Sequence, residues 1–253
     1  MSTRSVLVFA SADELAAFFT DKLIKAMASL KAGQYFSLLL SGGSTPRMVY
    51  EYLSRNQDSI PWQRLQLFWG DERCVPPDQD ESNYKMVKNS LLDHVPIPSD
   101  NIFRIKGESD PQTEAVRYAE TLSNRVPSKN GLPCFDLVML GLGDDGHTAS
   151  LFPNDTKTLF SEGLFEVAAH PESGQRRVTA TLQLINNART IVFLVTGKSK
   201  AGMLVRILGN SGENYPASMW ENYPAALVEA KNGEVIWLVD QDAAPGYKVG
   251  LTI

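Results

Sequence analysis

The chain has 253 residues, of which 43% are hydrophobic and 21% are charged, and its formal net charge at pH 7 is -5. This composition is sufficient for one large core, and the mild negative charge argues against a nucleic acid or a membrane surface as the main partner. An anionic ligand would therefore have to be held by a local group of basic side chains.

The two cysteines, Cys74 and Cys134, show neither metal-ligand nor redox spacing and indicate a reducing compartment. The apolar run near the N-terminus has only about five residues, which is too short for a signal peptide. No stretch approaches the roughly 18 apolar residues of a membrane span. These features predict a cytoplasmic protein without a membrane partner, and they leave the oligomeric state open, with a monomer favoured.

Short apolar runs alternate with segments of helical periodicity, a pattern typical of a mostly parallel sheet covered by helices. Strands are predicted at Val6–Ala10, Tyr35–Leu40, Leu65–Trp69, Phe135–Leu140 and Thr190–Val195. Each strand is followed by polar or glycine-containing residues, which indicates a turn into the next element.

Capping residues mark the predicted helix starts. Helices are predicted to begin after Ser11, which opens a capping box, at Thr45 as an N-cap, and at Asp110, which precedes a proline. A further helix follows Gly197 and ends at Gly209, where glycine is a favoured C-cap.

Near the C-terminus, Ala226–Glu229 and Val235–Val239 flank Asn232-Gly233, a dipeptide that favours a tight hairpin. They are predicted as an antiparallel pair. Because no repeat or linker interrupts the chain, we expect a single α/β domain over residues 1–253. Its mostly parallel sheet is flanked by helices and has an antiparallel C-terminal edge.

Ligands of open parallel sheets bind beyond the carboxyl ends of the strands. Two polar segments of this chain follow predicted strands early in the sequence. Residues 41–46 contain two glycines before a helix start, which favours either an anion site or a plain tight turn. Residues 70–73, Gly-Asp-Glu-Arg, are either functional or a solvated loop.

The segment 141–147 matches G-x-G-x-x-G, but Asp144 and Asp145 would meet a pyrophosphate with negative charge, and Pro153 follows too soon for the required helix. His147 is better interpreted as a general base or acid that Asp145 orients. No metal is expected, because the three histidines are scattered without ligand spacing.

The fourth candidate feature is a pair of basic elements that lie apart in the sequence. Arg176 and Arg177 precede an apolar stretch, and Lys198 and Lys200 lie in the first turn of a predicted helix. Cations are disfavoured there by about 0.3–1 kcal/mol, which a bound anion would offset. For one of the two lysines, simple solvation is the better interpretation.

Five ordered segments between residues 40 and 228 together resemble the 6-phosphogluconolactonase family, which is related to the glucosamine-6-phosphate deaminases. These segments are LSGGSTPRMVY, FWGDERCVPPDQDESNY, FDLVMLGLGDDGHTASLFP, RRVTATLQLINNARTIVFLVTGKSKA and YPAALV. The resemblance implies a Rossmann-like fold and hydrolysis of 6-phosphoglucono-δ-lactone in the oxidative pentose phosphate pathway, with no metal or nucleotide cofactor.

The resemblance also implies roles for individual residues. His147 matches the general base, and Arg73 matches an active-site arginine. Acidic and phosphate-contacting positions of the family correspond to Asp71, Asp145, Arg177 and Lys200, with the backbone of Gly42, Gly43, Ser44 and Thr45. We expect direct attack by water, with the oxyanion stabilised either by Arg73 or by the backbone around Gly143.

Three alternatives remain. A glucosamine-6-phosphate deaminase is expected to carry a glutamate shortly after the histidine, but here no carboxylate follows His147 before Asp155. A non-catalytic sugar-phosphate sensor would bind 6-phosphogluconate without opening the lactone. An NAD(P)-dependent dehydrogenase rests only on the glycine pattern.

Overall fold

The structure is a computed structural model that describes residues 3–209, 223–231 and 233–245. The strands are β1 (Thr3–Phe9), β2 (Phe36–Leu40), β3 (Leu65–Trp69), β4 (Asp71–Arg73), β5 (Ile102–Phe103), β6 (Ser128–Lys129), β7 (Leu132–Pro133), β8 (Leu137–Leu140), β9 (Phe165–Ala169), β10 (Arg176–Ala180), β11 (Thr190–Val195) and β12 (Glu234–Asp240). The α-helices are α1 (Ala12–Ala28), α2 (Ser44–Arg55), α3 (Asn83–Ser90), α4 (Pro111–Arg125), α5 (Thr156–Leu159), α6 (Leu182–Asn186) and α7 (Ala201–Leu208).

Seven strands form the central sheet in the order β1-β12-β11-β8-β2-β3-β5, and every pairing in it is parallel. All residues of β2, β3 and β8 are buried. Strands buried on both faces are typical of a parallel sheet covered by helices. The predicted mostly parallel α/β sheet is therefore confirmed.

The helix boundaries follow the capping residues at two predicted starts. Ser11 accepts a hydrogen bond from the backbone N–H of Glu14, and the Glu14 carboxylate accepts one from Ala10 N at 3.1 Å. Asp110 accepts from the backbone N–H of Thr113 and caps α4. These caps satisfy amide groups that would otherwise lack partners at the helix ends.

The prediction that Thr45 is an N-cap is wrong. The helix α2 begins at Ser44, and Gly43 is its N-cap at φ 103°, a conformation that favours glycine. The Thr45 hydroxyl instead bonds to the hydroxyl of Thr196 at 2.7 Å and ties the start of α2 to the end of β11.

The predicted antiparallel pair at the C-terminal edge is also wrong. The strand β12 lies inside the sheet, parallel to both β1 and β11, and residues 224–227 form a 3₁₀ turn. A Cβ at Gly233 would lie 1.7 Å from Arg189 O, so this glycine permits a close backbone approach. Asn232, the other residue of the expected turn, lies outside the described residues.

Antiparallel pairing occurs instead in a second sheet of the order β4-β10-β9. Residues 71–73, for which a loop was the plain interpretation, form its edge strand β4, which pairs Arg73 with Arg177 and Asp71 with Thr179. Gly70 links the two sheets, because its N–H donates to Leu40 O and its carbonyl accepts from Ala180 N. The second sheet therefore extends from the carboxyl end of β3.

Two buried tyrosine hydroxyls complete the backbone hydrogen bonding where β2 and β3 end. Tyr50 Oη accepts from Ser41 N at 3.1 Å and donates to Ser41 O at 2.8 Å. Tyr118 Oη accepts from Trp69 N at 2.8 Å and donates to Phe103 O at 2.7 Å. Burial raises the pKa of both hydroxyls. These bonds hold the strand ends from which two polar segments leave the sheet.

The described helices include none that is long and apolar enough to cross a membrane.

Replacing Tyr118 with Phe is expected to lower the free energy of unfolding by about 1–3 kcal/mol, because one buried amide and one buried carbonyl lose their partner. Urea denaturation followed by circular dichroism measures the change. Tyr35→Phe is the control, since Tyr35 is 49% exposed and should tolerate the loss. Equal midpoints for Tyr118→Phe and the wild type would contradict this account of the strand ends.

Candidate active site

A cavity of approximately 240 Å³ opens where β2, β8 and β11 end and where β4 meets β10. Nine of the ten residues predicted for the site line it: Gly42, Gly43, Ser44, Thr45, Asp71, Arg73, His147, Arg177 and Lys200. The tenth, Asp145, bonds to His147. The structure thus brings together residues that lie up to 158 positions apart in the sequence, from 42 to 200.

Asp145 and His147 form a hydrogen-bonded pair beside the cavity. Asp145 Oδ1 lies 2.6 Å from His147 Nδ1 and also accepts from the His147 backbone N–H at 3.0 Å. Partial burial acts to raise the pKa of Asp145, but its hydrogen bonds with His147 outweigh this and lower that pKa to about 2. The ionised carboxylate keeps the proton of a neutral His147 on Nδ1, so Nε2 is the nitrogen that can take a proton.

Gly143 allows the His147 ring to occupy this position. A Cβ at Gly143 would lie 2.2 Å from His147 Nδ1. The Gly143 N–H donates to His147 O at 2.9 Å, and Thr148 Oγ1 donates to Gly141 O at 2.9 Å. The Gly143 amide itself is therefore already bonded. Both Arg73, whose Nη1 donates to Glu81 O at 2.7 Å, and the other amides of the loop around Gly143 stay candidates for stabilising an oxyanion.

Arg73 and Arg177 occupy directly opposed positions of the β4–β10 pair, and both line the cavity. The Nε atoms of both arginines are buried and have no hydrogen-bond partner in the part of the chain that the structure describes. Arg177 is only 8% exposed, and burial together with the charge of Arg73 lowers its pKa. Opposed like charges destabilise a strand pair, and unpaired buried donors add to that cost. A bound anion would relieve both effects.

Asp71 and Ser150 connect the two arginine strands to the histidine loop. Asp71 is 4% exposed, and its Oδ2 accepts from Ser150 Oγ at 2.7 Å. Arg177 Nη1 in turn donates to Ser150 Oγ at 3.4 Å. Sequence reasoning missed Ser150, because a serine within TASLF carries no local signal of a buried contact with residues 71 and 177.

Glu72, which lies in the predicted segment 70–73 but was given no role there, and Asn83, which was missed from the sequence, anchor this strand to α3. The Glu72 carboxylate is 2% exposed and accepts from the backbone N–H of Arg73, Asn83 and Tyr84. Burial raises the pKa of Glu72 against the effect of these hydrogen bonds. Asn83 Nδ2 donates to Asp71 O at 3.0 Å, and a Cβ at Gly42 would lie 2.1 Å from Asn83 Oδ1. The side-chain amide of Asn83 therefore lies against both the glycine loop, at Gly42, and β4, at Asp71.

Two further groups suited to an anion face the cavity. No side chain caps the N-terminus of α2, and no acidic residue lies in its first turn, so Ser44 and Thr45 present the positive end of the helix dipole. Lys200 lines the cavity and pairs with Asp144 at 2.6 Å. Lys198 is not among the lining residues, and which of the two lysines contacts a ligand stays a prediction.

Within the described ranges, no group of three or more His, Cys, Asp or Glu side chains is arranged to hold a metal ion. The chemistry of the lining residues is that of an anion site beside a general base. It combines two arginines, one lysine and a helix N-terminus with a histidine that a carboxylate orients.

Fold and site together define an α/β protein with a histidine–aspartate pair facing a cationic pocket at the carboxyl edge of a parallel sheet. The family model described as glucosamine-6-phosphate isomerases/6-phosphogluconolactonase matches residues 10–237. The chain belongs to this family.

Individual relatives cover most of the chain. A 6-phosphogluconolactonase of Haemophilus influenzae is 47% identical over 81% of this chain and 84% of that protein. Among solved structures, one described as devB protein is 39% identical with a TM-score of 0.87, covering 97% of this chain and 100% of that one. The 6-phosphogluconolactonase of Trypanosoma brucei is 30% identical with a TM-score of 0.79, covering 98% and 99%.

Replacing Gly143 with Ala is expected to displace the His147 ring from Asp145, because the added methyl would overlap Nδ1. We expect a large loss of catalytic activity with a smaller change in the melting temperature. Enzyme assays and thermal denaturation of the same preparation measure the two effects. Gly202→Ala is the control, since a Cβ at Gly202 meets nothing within 4 Å. Full activity of Gly143→Ala would show that the ring position is not required.

Proposed function

We propose that this protein hydrolyses 6-phospho-D-glucono-1,5-lactone to 6-phospho-D-gluconate, the second step of the oxidative pentose phosphate pathway. One observation carries the proposal: His147, paired with Asp145, lines the same cavity as two arginines whose buried Nε atoms have no partner among the described residues. A general base and a strong anion site within one cavity suit a phosphorylated ester. The relatives named 6-phosphogluconolactonase support the same substrate.

In the proposed mechanism, His147 Nε2 takes a proton from a water molecule while the water oxygen bonds to C1 of the lactone. The carbonyl oxygen becomes negative in the tetrahedral intermediate. Collapse of the intermediate breaks the bond from C1 to the ring oxygen, and the proton on His147 passes to that oxygen. The product acid then ionises. Asp145 stays ionised throughout and holds the ring in the required tautomer.

The cationic groups divide between two tasks. Arg73, which lines the same cavity as His147, stabilises the oxyanion. Arg177, Lys200 and the N-terminus of α2 bind the phosphate, which serves as a remote handle that orients C1 beside the base. Asp71 lines the same cavity and is held by Ser150 and Asn83, and its carboxylate accepts further hydrogen bonds from sugar hydroxyls.

The deaminase alternative is disfavoured by the segment after the histidine. Asp155 is the first carboxylate beyond His147, and it accepts hydrogen bonds from the backbone and hydroxyl of Thr158 as the N-cap of α5. It is therefore engaged outside the cavity. Ammonia release from glucosamine 6-phosphate, assayed in parallel, tests this alternative directly.

A sensor would bind 6-phosphogluconate without accelerating lactone opening. The cytoplasmic location, the monomeric state and the single domain of this protein stay predictions from its sequence.

The initial rate of opening of freshly generated 6-phosphogluconolactone, corrected for the spontaneous rate, tests the reaction. We expect acceleration by the wild type and a kcat about 10²–10⁴-fold lower for His147→Ala, because the general base is lost. His94→Ala is the matched control, since the His94 ring bonds to the carbonyl of Asn89 and does not line the cavity. No acceleration by the wild type would overturn the proposal. An unchanged kcat in His147→Ala would show that His147 is not the general base.

The phosphate handle is tested with Arg177→Ala. We expect kcat/KM for the phosphorylated lactone to fall by roughly 10- to 150-fold, or about 1.5–3 kcal/mol, because a buried charged contact is lost. Arg176→Ala controls for charge, since the neighbouring Arg176 instead donates to Gln112 at 2.8 Å. If unphosphorylated gluconolactone loses as much as the phosphorylated substrate, Arg177 is not a phosphate ligand.

A further inference from the structure

Asp144 and Lys200 form an ion pair within the cavity itself. Lys200 Nζ lies 2.6 Å from Asp144 Oδ1, and both residues line the cavity. The Lys200 side chain is 23% exposed, whereas that of Asp144 is 77% exposed. The lysine is thus held in the site, while its partner reaches it from the solvent side. The two residues come from the loops that follow β8 and β11, which are neighbours in the sheet.

This pair differs in kind from the neighbouring pair of Asp145 and His147. Asp145 bonds to His147 through both the ring and the backbone, and it lies outside the cavity lining. Asp144 contacts Lys200, which lines the cavity together with Arg73 and Arg177. Its carboxylate occupies Lys200 much as a phosphate oxygen would, with a charge-assisted hydrogen bond.

We propose that Asp144 is a positioning residue that competes with the substrate phosphate for Lys200 and so sets the affinity of the site for phosphate. The inference rests on the proposed lactone hydrolysis for its biological meaning, although the competition itself concerns only an anion and a lysine. On binding, Lys200 exchanges the Asp144 carboxylate for a phosphate oxygen. On release, Asp144 takes Lys200 back.

The ligand gains a negative charge during the reaction, and the competition at Lys200 offsets the tighter binding of the product that results. The lactone ring is neutral, but its hydrolysis creates a carboxylate, so the product carries one more negative charge than the substrate. A pocket with Arg73, Arg177 and Lys200 therefore attracts the product more strongly than the substrate. A built-in carboxylate that recaptures Lys200 weakens the hold on the phosphate of both molecules and speeds the departure of the product.

The expected effect is modest because Asp144 is largely exposed. Exposed ion pairs contribute about 0.2–1 kcal/mol. Removing the competitor is therefore expected to tighten phosphate binding by about two- to fivefold, equivalent to about 0.4–1 kcal/mol. A change of this size is measurable by calorimetric titration at constant ionic strength.

Inorganic phosphate is the probe, and the folded full-length protein is titrated as wild type, Asp144→Asn, Lys200→Met and the double variant. We expect Asp144→Asn to bind phosphate more tightly than the wild type, and we expect this gain to disappear when Lys200 is Met. Asp80→Asn is the matched control, because Asp80 pairs with Lys85 at the same 2.6 Å, is 96% exposed and lies outside the cavity lining. It removes the same charge and should leave phosphate affinity unchanged.

Three outcomes would overturn the proposal. Equal phosphate affinity of Asp144→Asn and the wild type would show that no competition occurs. A gain that persists in the Lys200→Met background would indicate direct repulsion of phosphate by Asp144, without exchange at Lys200. An equal gain in Asp80→Asn would indicate a general effect of net charge. Since phosphate binding does not require lactone hydrolysis, these results are independent of whether the proposed reaction is correct.

Steady-state kinetics then test the consequence for turnover. For Asp144→Asn we expect a lower KM for 6-phosphogluconolactone and stronger inhibition by 6-phosphogluconate, each by about two- to fivefold. The KM for unphosphorylated gluconolactone should not change, because that substrate does not displace Asp144 from Lys200. A KM that falls equally for both lactones would contradict the exchange, since a change in the general shape of the site would affect both.

Discussion

Two arginines occupy directly opposed positions of the strands β4 and β10, and the charge of the cavity depends on their being held there. Arg177 is only 8% exposed, so water screens its repulsion from Arg73 poorly. Two nearby carboxylates partly offset this repulsion. Glu72 is bonded to backbone amides of its own strand and of α3, and Asp71, which lines the cavity, is bonded to Ser150. Both arginines line the cavity beside these carboxylates.

This arrangement explains how a protein with a net charge of -5 can attract an anion. The field inside a cleft is set by the groups nearest to it and is focused by the low-dielectric walls. Here the positive groups converge on one cavity, whereas acidic residues such as Asp80 and Asp93 are paired with lysines at the surface. Composition alone therefore excluded large anionic surfaces as partners without excluding a small phosphorylated ligand.

Much of the site was predictable because parallel strands bring their carboxyl ends to one edge. Polar segments after β2, β3, β8 and β11 had to converge there, whatever their separation in sequence. The strands Leu65–Trp69 and Thr190–Val195 were predicted with their observed boundaries, since continuous apolar runs ended at turn residues. The histidine pair was predictable because both partners lie within three residues.

Contacts between distant segments were not predictable in the same way. The sequence around Gly233 is typical of a hairpin. The structure instead needs a glycine there because the carbonyl of Arg189, 44 positions earlier in the chain (189 to 233), leaves no room for a Cβ. Ser150 and Asn83 are polar residues in ordinary contexts, and only the folded chain brings them to Asp71. The hydrogen bond that occupies the Gly143 amide is likewise one that periodicity and composition do not encode.

The loop between Cys74 and Glu81 is tied to the framework at both ends and exposed in its middle. Cys74 N donates to Arg176 O, and Arg73 donates to Glu81 O. Between these ties, Asp78 and Gln79 are exposed to solvent. Since the entropic cost of a longer loop grows slowly with its length, a peptide inserted at this point would extend away from the protein while both anchors stay in place. The loop is thus a natural attachment point for a tag or reporter beside a cavity that it does not deform.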